Sequence, residues 1–333
     1  MCALYGWLDC GKKLPHKLLK KLTQALANAA EERGTDAAGI SYIKNGHITI
    51  YKRPKPAHKI KFNIPENTVA VMGHTRLATQ GDKENNCNNH PFYGKADKSF
   101  AFAHNGVLYN DTALRKSHNL HKTKIETDSY VAVQLIEQQG KLDFNSLKSM
   151  AEDVMGNFVF TILDENNTLY FVKGNNPLYL IYLERFGLYI YASTKSIMDK
   201  ALKAVGLQYE NPTIIQTCEG DIISINSDGK IDSSRFTPED YSFFSTGTKR
   251  TRYSFDWYNW EDDSEYCEYT DEEELLLDMC NCYGVDEEDV ILLLDYGYTA
   301  MEIEEMFMDS DLLRSAIRDI KCQDYYDDFL MEV

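Results

Sequence analysis

The chain has 333 residues, of which 43% are hydrophobic and 26% charged, enough apolar material for a sizeable core and too much for global disorder. The formal charge of −17 is lopsided: residues 233–333 hold 28 acids and 7 bases, a balance of −21, whereas residues 1–232 balance to +4. The acidic end disfavours nucleic acid and anionic membranes as partners, and no charged-then-apolar leader or run of about 18 apolar residues stands in the sequence, so a cytoplasmic protein is expected.

Met1-Cys2 opens the chain. With Met1 removed, Cys2 carries both a thiol and a free α-amine of pKa about 7.7–8.0, which can take the thiol proton and return it later. Taken alone, Cys2 reads as a small residue after the start, as any short motif would. Residues 4–8 read as a short strand. Pro15 then opens a helix with leucines at 14, 18, 22 and 26 on one face, stopped by Gly34. The small residues 35–39 lead into a strand at 40–43, and Asn45-Gly46 turns the chain back along 47–51. Residues 52–67, with Pro54, Pro56 and Pro65, read as an exposed connection.

An apolar strand at 69–76 runs into the polar stretch Leu77-Ala78-Thr79-Gln80-Gly81, and residues 82–89 lead to His90-Pro91-Phe92. A second strand, 100–103, ends at His104-Asn105-Gly106. Asn110 and Asp111 are placed to cap a short helix, and Glu126-Thr127-Asp128-Ser129 precedes a helix at 130–139. Strand-like runs follow at 158–163, 168–173, 178–183, 188–192 and 221–225. Strands set between helical patterns predict a layered domain of helices and sheets.

Residues 233–270 mix acids with Ser, Thr, Tyr and Trp and read as a linker. In 271–333 Asp286 caps one helix, with Gly297 as its stop. Thr299 and Glu302 form a capping-box pattern for the next, and Ser310 or Asp311 caps a third. This is a small acidic helical module. The eight cysteines are scattered, which suits a reducing compartment better than a disulfide framework. Cys280-Asn281-Cys282 has no second Cys/His pair beside it, and no metal or cofactor is expected.

Four pieces carry the chemistry: Met1-Cys2; Arg33-Gly34-Thr35-Asp36-Ala37-Ala38-Gly39; Gly73-His74-Thr75-Arg76-Leu77-Ala78-Thr79-Gln80-Gly81 with Asn89-His90-Pro91-Phe92; and His104-Asn105-Gly106 with Glu126-Thr127-Asp128. In this order and spacing residues 2–232, with the later Glu219-Gly220-Asp221, resemble the class II glutamine amidotransferases, a branch of the N-terminal-nucleophile hydrolases. The second and third pieces differ in flavour. His74-Thr75-Arg76 and Asn88-Asn89-His90-Pro91 are most similar to the glutaminase domain of glucosamine-6-phosphate synthase, and Asp36-Ala37-Ala38-Gly39 is nearer the amidophosphoribosyltransferase form.

The resemblance implies an α+β fold, a four-layer αββα sandwich of two antiparallel sheets between helices. It implies that Cys2 attacks the side-chain amide of glutamine, with Asn105 and the Gly106 N–H stabilising the oxyanion. It further implies that Arg76 and Thr79 bind the α-carboxylate and Asp128 the α-ammonium. Each position has an ordinary alternative: a hairpin turn for Asn105-Gly106, a surface ion pair for Arg76 and a helix cap for Asp128. His74, His90 and His104 are expected to be structural.

Leu77 stands where the synthase form has Trp, Gln80 where it has His, and Ala3 where Gly is frequent, so closure of the loop over glutamine is expected to differ. Residues 233–333 are too few for the synthase's sugar-isomerase domains. The expected partners are therefore glutamine and a separate ammonia-acceptor protein. Two other readings stay open: an amidase for another γ-glutamyl compound, and a binding or regulatory module.

Overall fold

Alternation along the strands sorts their side chains into two faces, and that sorting builds the layers. In β1 (Ala3–Asp9), Ala3, Tyr5 and Trp7 join one apolar cluster while Leu4 and Leu8 join another. The computed structural model describes residues 2–207, 212–238, 276, 280, 285–295, 298–307 and 312–318. The chain divides into two units, Met1–Glu239 and Asp240–Val333.

One sheet of the first unit contains β1, β2 (Ala37–Lys44), β3 (His47–Arg53) and β4 (Ala70–Arg76). The other begins with β5 (Phe92–Lys95), β6 (Ser99–Leu108), β7 (Gly156–Asp164) and β8 (Leu169–Lys173). Then β9 (Tyr179–Leu183), β10 (Leu188–Ala192) and β11 (Thr213–Ile214) return to the first sheet, and β12 (Asp221–Ile225) and β13 (Ile231–Arg235) to the second. The orders are β11-β9-β10-β1-β4-β2-β3 and β13-β12-β8-β7-β6-β5, and the pairings are antiparallel. β1 is therefore a central strand, flanked by β4 and β10.

Helices α1 (His16–Ala29) and α5 (Lys195–Val205) cover the outer face of the first sheet, with Leu22, Leu26, Ile197 and Met198 packed against Tyr5, Trp7 and Ile190. The buried Trp7 indole N–H donates to Thr23 Oγ1 at 2.9 Å, pinning α1 to β1. Between them in sequence come α2 (Asp111–Ser117), α3 (Tyr130–Gln139) and α4 (Phe144–Asp153). Helices α3 and α4 cover the second sheet, their Val133, Ile136, Leu147 and Met150 meeting Phe100, Phe102 and Phe160. Leu4, Leu8, Met72, Ala101, Ala103, Val159 and Phe171 fill the layer between the sheets. This is the expected four-layer αββα sandwich.

Local differences have physical reasons. The strand read at 100–103 continues through Leu108, so Asn105-Gly106 is mid-strand and paired with Val159 and Phe158 rather than forming a hairpin turn. Asn110 does not cap α2 through its side chain; it donates to Asp153 O at 2.9 Å and accepts from Met155 N–H at 2.9 Å. Helices α4 and α5, and strands β5, β11 and β13, lie where no element was read.

In the second unit, helices span Glu287–Asp295, Ala300–Phe307 and 312–318. Asp286 Oδ1 accepts from Glu288 N–H at 3.2 Å. The capping box closes both ways: Thr299 Oγ1 accepts from Glu302 N–H at 3.3 Å, and the Glu302 carboxylate accepts from Thr299 N–H at 2.9 Å. Met1, residues 239–275, Cys282, Gly297, Ser310 and Asp311 lie outside the described residues. Among the described residues no helix is long and apolar enough to cross a membrane.

Candidate active site

Cys2 stands at the head of β1, where Ala3 is opposite Thr75 of β4 and the Leu4 N–H donates to Ser193 Oγ at 2.8 Å. The Cys2 thiol donates to Leu77 O at 3.5 Å, and the Cys2 carbonyl accepts from Arg33 Nε at 3.1 Å. Burial pushes the Cys2 thiol above its ordinary value, while the Arg76 guanidinium pulls it the other way. Cys2 therefore needs a base to become a thiolate at neutral pH.

The two sheets are tied together beside this point. His74, opposite Leu4 in the β1–β4 register, donates from Nε2 to His104 O of β6 at 2.9 Å. Burial pushes His74 down to about 3, so it is a neutral ring whose proton sits on the donating nitrogen. His90 packs at a tilt against His74 and against Phe92, each at 4.3 Å between ring centroids, and burial holds it well below the usual imidazole range. The three histidines are thus packing and bridging groups, as expected.

Asn105 follows His104 and is buried, and its side-chain Nδ2 has no hydrogen-bond partner among the described residues. Strand alternation turns it to the face shared by Ala101 and Ala103, which looks towards β1. Gly106 has φ +141°, and a Cβ there would lie 1.8 Å from Asn157 O, so no other residue fits. Asp128 does not cap α3. Its Oδ2 accepts from the Leu108 N–H at 2.6 Å and its Oδ1 from the Ser129 hydroxyl at 3.2 Å, while Ser129 Oγ lies 2.8 Å from His104 Nδ1. This ties the helix start to the end of the Asn105 strand.

Arg76 closes β4 and is buried, not a surface ion pair. Its Nη1 donates to Asn89 Oδ1 at 2.8 Å and its Nη2 to Gln80 O at 2.5 Å and Gly81 O at 3.3 Å. Other donors of the five-donor guanidinium remain uncommitted among the described residues. Asp36 braces the same loop, accepting from Ala78 N–H at 2.9 Å and from Lys83 Nζ at 2.9 Å. Burial works against its charge, but these two donors hold the Asp36 carboxyl below the usual range. Thr79 and Gln80 are exposed, and Leu77 is 43% exposed.

Three participants had no role of their own assigned from the sequence. Asn89 holds Arg76. Asn88 joins the 82–89 segment to Glu126, donating to Oε2 at 2.7 Å and accepting from its N–H at 2.9 Å. Lys52 lies under the same segment. The asparagine run at 85, 86, 88 and 89 was the visible signal for the first two, because several buried amides in one loop need partners.

Residues 74–200 match the family model described as a glutamine amidotransferase domain. The chain is 28% identical over 210 residues to 7-cyano-7-deazaguanine synthase 2 of Sulfurisphaera tokodaii, covering 60% of this chain and 44% of that protein. It is 31% identical over 189 residues to a glutamine–fructose-6-phosphate aminotransferase of Staphylococcus epidermidis, covering 54% of this chain and 30% of that one. The chain thus spans well under half the length of these curated relatives. The fold is similar to that of a glutamine phosphoribosylpyrophosphate amidotransferase from B. subtilis, with TM-score 0.55 and 23% identity over 71% of this chain and 49% of that one. The chain carries a glutamine amidotransferase domain. Over these residues the chain is similar to the glutamine amidotransferases, and its fold is similar to that of a solved one.

Proposed function

We propose that residues 2–232 hydrolyse the side-chain amide of glutamine to glutamate and ammonia. The α-amine of a chain beginning at Cys2 takes the thiol proton, and the sulfur attacks the amide carbon. The oxyanion that develops is met by Asn105 Nδ2 and the Gly106 N–H. The ammonium then protonates the departing nitrogen, ammonia leaves, and a thioester joins Cys2 to the glutamyl group. Water, deprotonated by the same amine, cleaves the thioester, releases glutamate and restores the thiol.

The observation that carries this reading is the unpartnered, buried Asn105 amide, one residue from the carbonyl that His74 bridges to the Cys2 sheet. A donor left without a partner in the interior is costly unless a ligand supplies the acceptor. Arg76 takes the α-carboxylate and Asp128 the α-ammonium, with Thr79 added when the loop closes over the substrate. No cofactor enters this scheme. Ammonia passes to a separate acceptor protein, and residues 271–333, joined by the linker 233–270, form a second module that docks it.

The test is a turnover assay on glutamine, asparagine and γ-glutamyl amides, with intact mass measured on the same preparation. Glutamine turnover by a chain that retains Met1 would remove the terminal-amine mechanism. Equal turnover of glutamine and butyramide would remove the amino-acid end pocket and favour a broader amidase.

A further inference from the structure

Lys52 is a cation in an unusual setting. It lies on β3, the edge strand beside β2, yet its side chain runs inward under the segment that carries Asn89, His90 and Pro91. Its ammonium donates to Asn89 O and, at 3.0 Å, to Pro91 O, and it sits 5.0 Å from the centroid of the Phe92 ring. Its own carbonyl accepts from Asn86 Nδ2 at 3.0 Å, so strand and segment are stitched in both directions. No carboxylate pairs with it among the described residues. The charged or titratable groups facing it are Arg76 from β4, Cys87 from the 86–88 turn, and the neutral His74 and His90.

The connection to the site is short. Lys52 holds the main chain of Asn89, and the Asn89 side chain accepts from Arg76 Nη1 at 2.8 Å. Asn89 Nδ2 also donates to Lys83 O at 3.2 Å, and Lys83 is the ion-pair partner of Asp36. One ammonium thus sets the backbone from which the guanidinium fork is aimed. Lys52 adds positive charge beside Arg76, which Asp36, Asp82 and Asp128 also face, and so shifts the balance of the recess towards an anionic ligand.

We propose that Lys52 is a positioning residue for recognition of a substrate α-carboxylate, acting through Asn89 on Arg76. This rests on the glutaminase reading of the site. Lys52 does not touch the substrate. It fixes the geometry of the residue that does, and its charge adds to the field that draws the carboxylate in.

The pH dependence follows. Burial, with Arg76 adding to it, lowers Lys52 to about 8, so the free site holds the ammonium below that pH and the neutral amine above it. A bound carboxylate favours the ammonium. Affinity is therefore full below about pH 8 and declines as the pH rises through it. Arginine at this position stays charged throughout and lacks this decline.

The experiment measures glutamine KM and kcat, together with L-glutamate binding by calorimetry, from pH 7 to 9.5 for wild type, Lys52→Met and Lys52→Arg. Lys52→Met should raise KM and weaken glutamate binding about tenfold, the scale of one lost charge-assisted contact, with a much smaller change in kcat. Lys52→Arg should recover most of the affinity and show a smaller rise in KM above pH 8 than wild type, the remainder being loss of the substrate α-ammonium that Asp128 binds. If Lys52→Met does not fold, the Lys52→Arg comparison decides alone: a pH dependence equal to wild type overturns the proposal. Active wild type with unchanged KM in Lys52→Met overturns it while leaving the glutaminase reading intact. Wild type that neither hydrolyses glutamine nor binds glutamate removes that reading, and this inference with it.

Discussion

Replacing Asn105 with alanine separates what the side chain does for the resting protein from what it does during the reaction. In the resting structure its Nδ2 is buried without a partner among the described residues. Such a donor costs the folded state about 1–3 kcal/mol. Truncating a core side chain ordinarily destabilises by about 0.5–3 kcal/mol. The two terms oppose each other, so Asn105→Ala should change unfolding free energy by no more than about 1–2 kcal/mol in either direction. The transition state is different, because the amide there gains a charged acceptor. Its loss should lower kcat by about 10²–10³, or about 2.7–4 kcal/mol of barrier, with KM little changed. Urea unfolding and steady-state ammonia release on one preparation measure both quantities. A variant that loses several kcal/mol of stability together with its activity, or that changes only KM, refutes the argument. In either case Asn105 would be a packing or binding residue.

Cys2→Ala should abolish ammonia release and leave the thermal unfolding midpoint nearly unchanged, while Cys2→Ser retains at most a trace because a hydroxyl is far harder to deprotonate. Arg76→Ala should raise KM for glutamine by about tenfold or more, and Asp128→Asn should do the same less strongly, because both grip the end remote from the reacting amide. The steady-state KM of each variant checks this; a fall in kcat at unchanged KM contradicts it. Gly106→Ala should destabilise or misfold the first unit, since its Cβ would stand 1.8 Å from Asn157 O at φ +141°. Circular dichroism and yield read this directly, and a well-folded, active Gly106→Ala protein excludes the geometry. Truncation after residue 239, where the first unit ends, should preserve glutamine hydrolysis. Loss of activity on truncation would place the acidic region inside the catalytic fold.

Much of the scaffold was legible because periodicity records burial. The leucines at 18, 22 and 26 marked one face of α1, with Leu14 just before the helix packed against the same cluster, and the run before Arg76 marked a strand buried on both faces. Asn-Gly shows where such reading stops. Asn45-Gly46 makes the expected turn, with φ +53° and +77°, and the strands on either side pair with each other. Asn105-Gly106 is the same dipeptide in mid-strand, because Val107 and Leu108 find partners in Asn157 and Gly156 on β7. Turn preference is local, whereas the available partner strand lies some 50 positions away. Helix α5 was hidden for a related reason. Its Ile197, Met198, Ala201 and Leu202 have helical spacing, but strand-like runs flank them on both sides. In the site, motif residues could be named in advance, but the hydrogen bonds of Lys52 and Asn89 join β3, β4 and a loop that only folding brings together.

The bond from His74 to the His104 carbonyl sets the spacing of the two sheets beside the proposed site with a directional contact. Elsewhere the sheets meet through Leu4, Met72, Ala103 and Val159, apolar contacts without a fixed direction. Here a directional bond of 2.9 Å holds β4, the neighbour of the strand that follows Cys2, in step with the strand bearing Asn105. The outer helices can therefore drift in sequence or repack without changing the spacing of β4 and β6 at this point. A substitution that removes the imidazole donor acts as a change of gauge: the protein would keep its layers and lose its calibration.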